Sequence, residues 1–387
     1  MHAQGGVDRS ILPRLPLLAL GMVALLTGLW AGLFRLGWDV PALHPNLPAN
    51  HGPLMVSGFL GTLISLERAV ALGQWWAYAT PLLTGLGALA LLVGAPSLYG
   101  QTLVVMGSCG LVVLFASLLR SQPTLFTATM GSGTVAWVVG NVLWLAGWPI
   151  SHIVPWWLGF LALMIAGERL ELSRLLHLSA PSRAAFLTAS GLLLVGLVGS
   201  AIRFEPGLRV TGIGLGAVAV WLLRYDVAWR TVRHEGLTRF IAVSLLLGYC
   251  WLLLGGVLVL VFGAVPPGPA YDALLHAIFL GFVFAMIFAH APLIFPAILG
   301  IPVSFRFAFY APLATLHLSL LLRIGSDLSG WTAGRQWGGL LNVLAIMLFF
   351  GKMVRALVSE RARTTAHTGM MEDIRPRGAT APRISRP

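Results

Sequence analysis

Long apolar runs separated by short polar breaks fill the chain between residues 11 and 357. Each run is close to the ~20 residues that cross a bilayer core. Backbone polar groups in that core must be satisfied within the segment, so the runs predict helices. The period-2 alternation of a membrane strand does not occur. The breaks place twelve spans at about 11–35, 53–72, 76–95, 98–119, 125–147, 153–172, 184–202, 207–223, 239–262, 271–295, 307–323 and 336–357. The expected fold class is therefore an all-α integral membrane protein of about twelve transmembrane helices, with residues 1–360 as one polytopic domain. Residues 361–387 read as a basic, disordered cytoplasmic tail.

Composition agrees with this pattern. The 387 residues are 57% hydrophobic and 10% charged, whereas a soluble domain carries nearer a quarter charged residues. The net charge of +12 does not point to nucleic acid. Most of the arginine falls in short loops and in the tail. With the N-terminus cytoplasmic, the inner loops hold Arg68, Arg120, Arg169, Arg174, Arg183, Arg224, Arg230, Arg233, Arg239 and Arg306. The outer loops hold Arg35, Arg203, Arg209, Arg323 and Arg335. That asymmetry predicts both termini on the cytoplasmic side. The first span lacks a small-residue cleavage site and reads as a retained helix. Cys109 and Cys250 lie in separate spans and read as packing residues.

A repeat goes beyond hydropathy. The second span carries His51, Gly58-Phe59-Leu60, Ile64 and Glu67-Arg68. The sixth carries His152, Gly159-Phe160-Leu161, Ile165 and Glu168-Arg169 in the same register. The tenth gives a weaker copy, Gly281-Phe282-Val283 and Ile287, with His276 ahead of it and His290 in the place of the Glu. Copies on spans 2, 6 and 10 imply three units of four helices, about 11–119, 125–223 and 239–357, in a pseudo-threefold arrangement. Spans 2, 6 and 10 would then line the interior. His51, His152 and His276 would lie near the outer face, and the Glu-Arg pairs ~24 Å away at the inner ends.

Neutral imidazole ligates haem iron, copper and zinc, and ionisable groups inside membranes are costly and usually functional. His51, His152 and His276 are the leading candidate ligands, for haem or a metal. His290 lies fourteen residues after His276, on the same helix face, and His317 sits in mid-span; both are further haem-ligand candidates. His44 and Met55 are candidates for a supporting role beside His51. Glu67-Arg68 and Glu168-Arg169 could pair with each other or hold an anion. His2, His177, His234 and His367 read as solvated.

Twelve helices in three arcs, with histidines on helices 2, 6 and 10, resemble subunit I of the haem–copper oxidases and, more so, the NnrS-type membrane proteins. The resemblance rests on that topology and on the segments beginning His51-Gly52-Pro53 and Leu275-His276-Ala277. It implies a b-type haem, copper beside it, and a role in nitric oxide response or respiratory redox chemistry. It also implies a bacterial cytoplasmic membrane, with nitric oxide or another small gas and an electron donor as partners besides lipid. By the oxidase pattern His51 would bind low-spin haem, His152 copper, and His276 haem. Departures are plain: residues 184–202 contain no His, helix 10 has no His-x-His, and Trp156 stands where oxidases have Tyr. A complete oxygen-reducing centre is therefore not expected.

Two other function classes fit a polytopic chain with few acids. A secondary transporter or metal-ion carrier would show a six-plus-six repeat, and none is found. A cofactor-free assembly subunit of a respiratory complex would scatter its histidines in space.

Overall fold

A computed structural model describes residues 14–373 apart from 42, 177 and 302. Among the described residues the chain is helical and contains no strand. Twelve long helices follow one another: α1 Arg14–Arg35, α2 Pro48–Leu72, α3 Trp75–Leu92, α4 Ser97–Ser121, α5 Leu125–Leu145, α6 Ile150–Leu172, α7 Ala180–Ile202, α8 Phe204–Tyr225, α9 Gly236–Phe262, α10 Pro269–Leu299, α11 Phe307–Ser329 and α12 Thr332–Glu360. Eleven are long and apolar enough to cross a membrane. The exception is α5, whose polarity comes from Thr127, Thr129, Thr134 and Asn141, all buried against its neighbours. The backbone of α12 continues as helix to Asp373. Residues 374–387 of the expected tail lie outside the described residues, as do His2 and His177 and the side chain of His367.

Local chemistry explains the helix ends. Gly73, Gly300 and Gly330 close α2, α10 and α11 in the left-handed conformation, with φ of 69°, 67° and 75°, which a residue with a Cβ adopts only at a cost. Thr124 and Ser179 cap α5 and α7 with side-chain oxygens that accept from the backbone N–H three residues on.

Consecutive helices pack against one another along the chain, and α12 returns to α1. Inside this ring stand α2, α6 and α10. Their most apolar stretches are 61%, 78% and 72% buried, against 56% or less for every other span. The interior role expected of spans 2, 6 and 10 thus follows from sequence register. The glycine of each copy is a point of close approach by a neighbour. A Cβ on Gly58 would lie 2.8 Å from Ala88, on Gly159 2.3 Å from Leu197, and on Gly281 2.4 Å from Trp251. Absence of a side chain, not backbone freedom, is what these positions require.

The backbone adds a relation invisible in the letters. Leu54–Gly61 of α2 and Ala277–Phe284 of α10 are π-helical. Each segment begins four residues before its repeat glycine and ends three after it. The α6 copy is an ordinary α-helix throughout. By sequence α6 is the better match to α2; by backbone it is α10. π-turns are rare and concentrate at functional sites, and here each follows closely on a histidine.

Cys109 and Cys250 are exposed on the outside of the bundle and unpaired. They are therefore not the packing residues expected from their apolar surroundings.

Candidate functional site

Two polar clusters occupy opposite ends of α2, α6 and α10. The first surrounds His51 and His276. It opens into a cavity of about 540 Å³ that both histidines line. Leu29, Val56, Leu60, Phe279 and Phe284 form apolar walls, and Arg35, Arg323 and Arg335 bring three guanidinium groups. One carboxylate, Asp272, faces them.

The two imidazoles are held alike. His51 Nδ1–H donates to the Gly28 carbonyl at 2.7 Å. His276 Nδ1–H donates to the Asp272 carbonyl at 2.9 Å, with the Asp272 carboxylate 3.2 Å away. In each ring the Nδ1 proton is thereby fixed, and Nε2 is left with its lone pair. That is the tautomer a metal-ligating histidine adopts when a backbone carbonyl orients it. Room for His51 comes from Gly32 of α1, where a Cβ would lie 3.0 Å from the ring. Met55 packs one turn further along, over Gly28, and also lines the cavity.

The ring centres of His51 and His276 are 6.4 Å apart, with 28° between the planes. Two metal–nitrogen bonds of about 2.0–2.1 Å, set between two imidazole rings, need a centre-to-centre distance of about 6 Å. The separation of the ring centres is thus of the size that two ligands of one metal would need. The apolar walls and the three arginines are the features a haem macrocycle and its carboxylates would use. Arg323 Nη2 lies 3.3 Å from His276 Nε2, a long contact that a ligand would displace.

Asp272 and Arg323 support this end. Arg323 donates from Nε and Nη2 to the two carboxylate oxygens at 2.8 and 2.9 Å. Arg335 lies 3.0 Å from Asp327 and 3.9 Å from Asp272. Arg323 was expected in an outer loop, but it is a buried residue of α11, 6% exposed. Length and hydropathy alone ended that span too early. Asp272, Arg323 and Arg335 were not singled out as site residues, nor was Asn342 or Trp157. For Asp272 a signal existed: a carboxylate inside an apolar span, four residues before a histidine, lies on the same helix face.

The other expected ligands go elsewhere. His152 does not line the cavity; it stacks on Phe204 with ring centres 3.8 Å apart. Its seven-residue spacing from the glycine equals that of His51. In α2, however, π-helical turns intervene, so equal spacing in sequence gives a different rotation about the axis. Trp156 is buried beside Gly140 of α5, and its neighbour Trp157 reaches the cavity instead, donating to Asn141 at 3.0 Å. Among the described residues no three of His, Cys, Asp and Glu converge as a metal ion requires. A metal site shared by His51, His152 and His276 is therefore not formed.

His44 is consumed as a loop staple. Its Nε2–H donates to the Leu91 carbonyl at 3.1 Å, and its Nδ1 accepts from the Asn46 N–H at 3.2 Å. His317 accepts from the Trp251 indole N–H at Nδ1, at 2.9 Å. In the neutral ring its proton then sits on Nε2, which is buried without a partner. Neither histidine presents a free lone pair. His234 is exposed, as expected.

The second cluster lies at the far end of the same helices. Arg68 of α2 is 3.6 Å from Glu67 and 3.5 Å from Glu168 of α6. His290 of α10, at the register of the two glutamates, is within electrostatic reach of Glu168. Its Nδ1–H donates to the Met286 carbonyl at 2.7 Å, and Nε2 is buried and unpartnered. The repeat thus brings Glu67 and Glu168 to one arginine, Arg68, and sets His290 within electrostatic reach of Glu168. Arg169 departs from it: instead of joining the glutamates, it donates to both oxygens of the buried Asp226 at 2.8 and 2.9 Å.

The chain belongs to the family described as "Domain of unknown function (DUF8744)", whose model matches residues 14–358. A comparison with curated proteins gives no match.

Proposed function

We propose that the protein binds one b-type haem between His51 and His276 and serves in one-electron or nitric oxide chemistry at the outer face of a bacterial cytoplasmic membrane. The observation that carries this reading is the pair itself: two imidazoles with ring centres 6.4 Å apart on one cavity, each with Nδ1–H donated to a backbone carbonyl, the Nε2 of His276 meeting only the long contact from Arg323. His51 and His276 would hold the haem, which would supply one-electron redox chemistry. The missing third ligand and the absence of histidine in residues 184–202 argue against an oxidase-type copper centre.

The chain's own residues would do the following. Gly28 and Asp272 orient the two rings through their carbonyls. Arg35, Arg323 and Arg335 offer charge to two propionates, and bidentate guanidinium–carboxylate pairing suits that task. Asp272 keeps Arg323 in place beside His276. Leu60 and Phe284 close the apolar depth of the cavity and keep water out, which favours a dry ligand environment.

We take the three units as related by a pseudo-threefold axis, on the strength of the common register of Gly58, Gly159 and Gly281 and of the meeting of Glu67 and Glu168 at Arg68. The arginine bias of the loops puts the His51 end outside and both termini inside. The test is the absorbance spectrum of the purified, reduced protein. A Soret and an α band that vanish in both His51→Ala and His276→Ala, and persist in His152→Ala, support the reading. A colourless protein without iron refutes it.

A further inference from the structure

Beyond the histidine site, a second cavity of about 610 Å³ opens at the opposite end of the bundle, where α6, α7 and α8 meet their loops. Its polar wall is made by Ser179, Ser182, Arg224 and Arg230, with Trp229 at the rim. Neither Arg224 nor Arg230 forms an ion pair among the described residues; the Arg224 guanidinium lies 5.1 Å from the Tyr225 ring centre, and both arginines are exposed. The Ser182 hydroxyl is the telling atom. The residue is 1% exposed, it lines the cavity, and its Oγ has no hydrogen-bond partner. Ser182 thus carries an unmet hydrogen-bonding group in the cavity wall.

The one carboxylate in the wall does not repel an anion. Asp226 is 3% exposed and its oxygens are taken by Arg169 and by the Ala228 N–H. The N-terminus of α7 also points this way, although Pro181 has no N–H and the Ser182 N–H is spent on Ser179. Two arginines without a carboxylate partner among the described residues and two serines thus line one cavity. Trp229 is 51% exposed at the end of the spans, where amphipathic aromatic rings mark the headgroup level.

We propose that this cavity binds the phosphate of an anionic phospholipid headgroup, with Arg224 and Arg230 supplying charge and Ser179 and Ser182 donating hydroxyl hydrogen bonds. The same chemistry would admit free inorganic phosphate. The position at the membrane boundary selects the lipid.

The test uses the delipidated full chain in a neutral detergent, titrated with short-chain phosphatidylglycerol, with short-chain phosphatidylcholine, and with inorganic phosphate. Binding is read by native mass spectrometry and by tryptophan fluorescence. Phosphatidylglycerol should bind more tightly than phosphatidylcholine. Arg224→Gln with Arg230→Gln should weaken it about tenfold or more, near the ~1 kcal/mol that each basic residue contributes at a membrane surface. Ser182→Ala, which removes one oxygen and preserves the helix, should weaken it less but measurably, while Arg183→Gln should not. Displacement of the lipid by millimolar inorganic phosphate would assign the site to free phosphate and overturn the lipid source. Equal binding of the two lipids, or unchanged binding in the double variant with normal thermal unfolding, would overturn the site itself.

Discussion

Arg323 reaches from α11 to Asp272 of α10 through paired hydrogen bonds of 2.8 and 2.9 Å, one turn before His276. This pair is mostly buried, and breaking such a pair costs about 3–5 kcal/mol because the surviving charge is stranded. Arg323→Met should therefore lower the thermal midpoint in detergent sharply. The double variant Arg323→Met with Asp272→Asn should recover part of the loss. An additive loss in the double variant would mean that the two side chains do not act together.

The helix interior makes a separate prediction. A Cβ on Gly61 would come within 2.3 Å of the Trp137 ring, whereas one on Gly191 meets nothing within 4 Å. Overpacking of a closed contact costs about 1–3 kcal/mol. Gly61→Ala should be destabilised by about that amount, and Gly191→Ala should be neutral or slightly more stable. Equal behaviour of the two would contradict the packing of α2 on α5.

At the far end, Arg68 is what separates Glu67 from Glu168. Arg68→Met would leave two carboxylates facing each other inside the bundle. We expect a loss of about 3 kcal/mol or more, largely restored by adding Glu67→Gln. If haem binding by His51 and His276 is independent of this cluster, ~24 Å away along the helix, the reduced spectrum of any folded Arg68→Met protein should be unchanged. Unfolding by chemical denaturant, followed beside the spectrum, separates the two effects.

Trp251 supplies a fourth test. Its indole N–H is the donor to His317 Nδ1. Trp251→Phe removes that donor and leaves a buried acceptor unpaired, at about 1–3 kcal/mol. Because His317 is occupied in this way and is not a ligand in this account, His317→Gln should leave the absorbance spectrum intact. Loss of the Soret band in that variant would reassign the site.

Much of this was legible in the residues. Hydropathy places the long helices with small errors at their ends, eleven of them apolar enough to cross a membrane, and the register of Gly58, Gly159 and Gly281 picks out the three most buried of these. Two of the three leading histidines, His51 and His276, do converge. His152 does not, because sequence spacing encodes rotation only while the helix type stays the same, and α2 and α10 contain π-turns that α6 lacks. Asp272, Arg323 and Arg335 were hidden by a different cause. Charges near span ends look like loop residues until tertiary pairing shows that Arg323 is inside. The fourteen-residue spacing groups His290 with His276, yet the charged group within its electrostatic reach is Glu168 of α6. The register of the repeat, not the helical periodicity of α10 alone, carried that information.

The most direct measurement is the haem content and low-temperature electron paramagnetic resonance of the purified oxidised protein. The account predicts one haem b per chain with the low-spin signal of two imidazole ligands, lost when either His51 or His276 is replaced by Ala and kept when His152, His290 or His317 is. A chain free of haem after expression with ample iron, or a haem signal indifferent to both His51→Ala and His276→Ala, would contradict it.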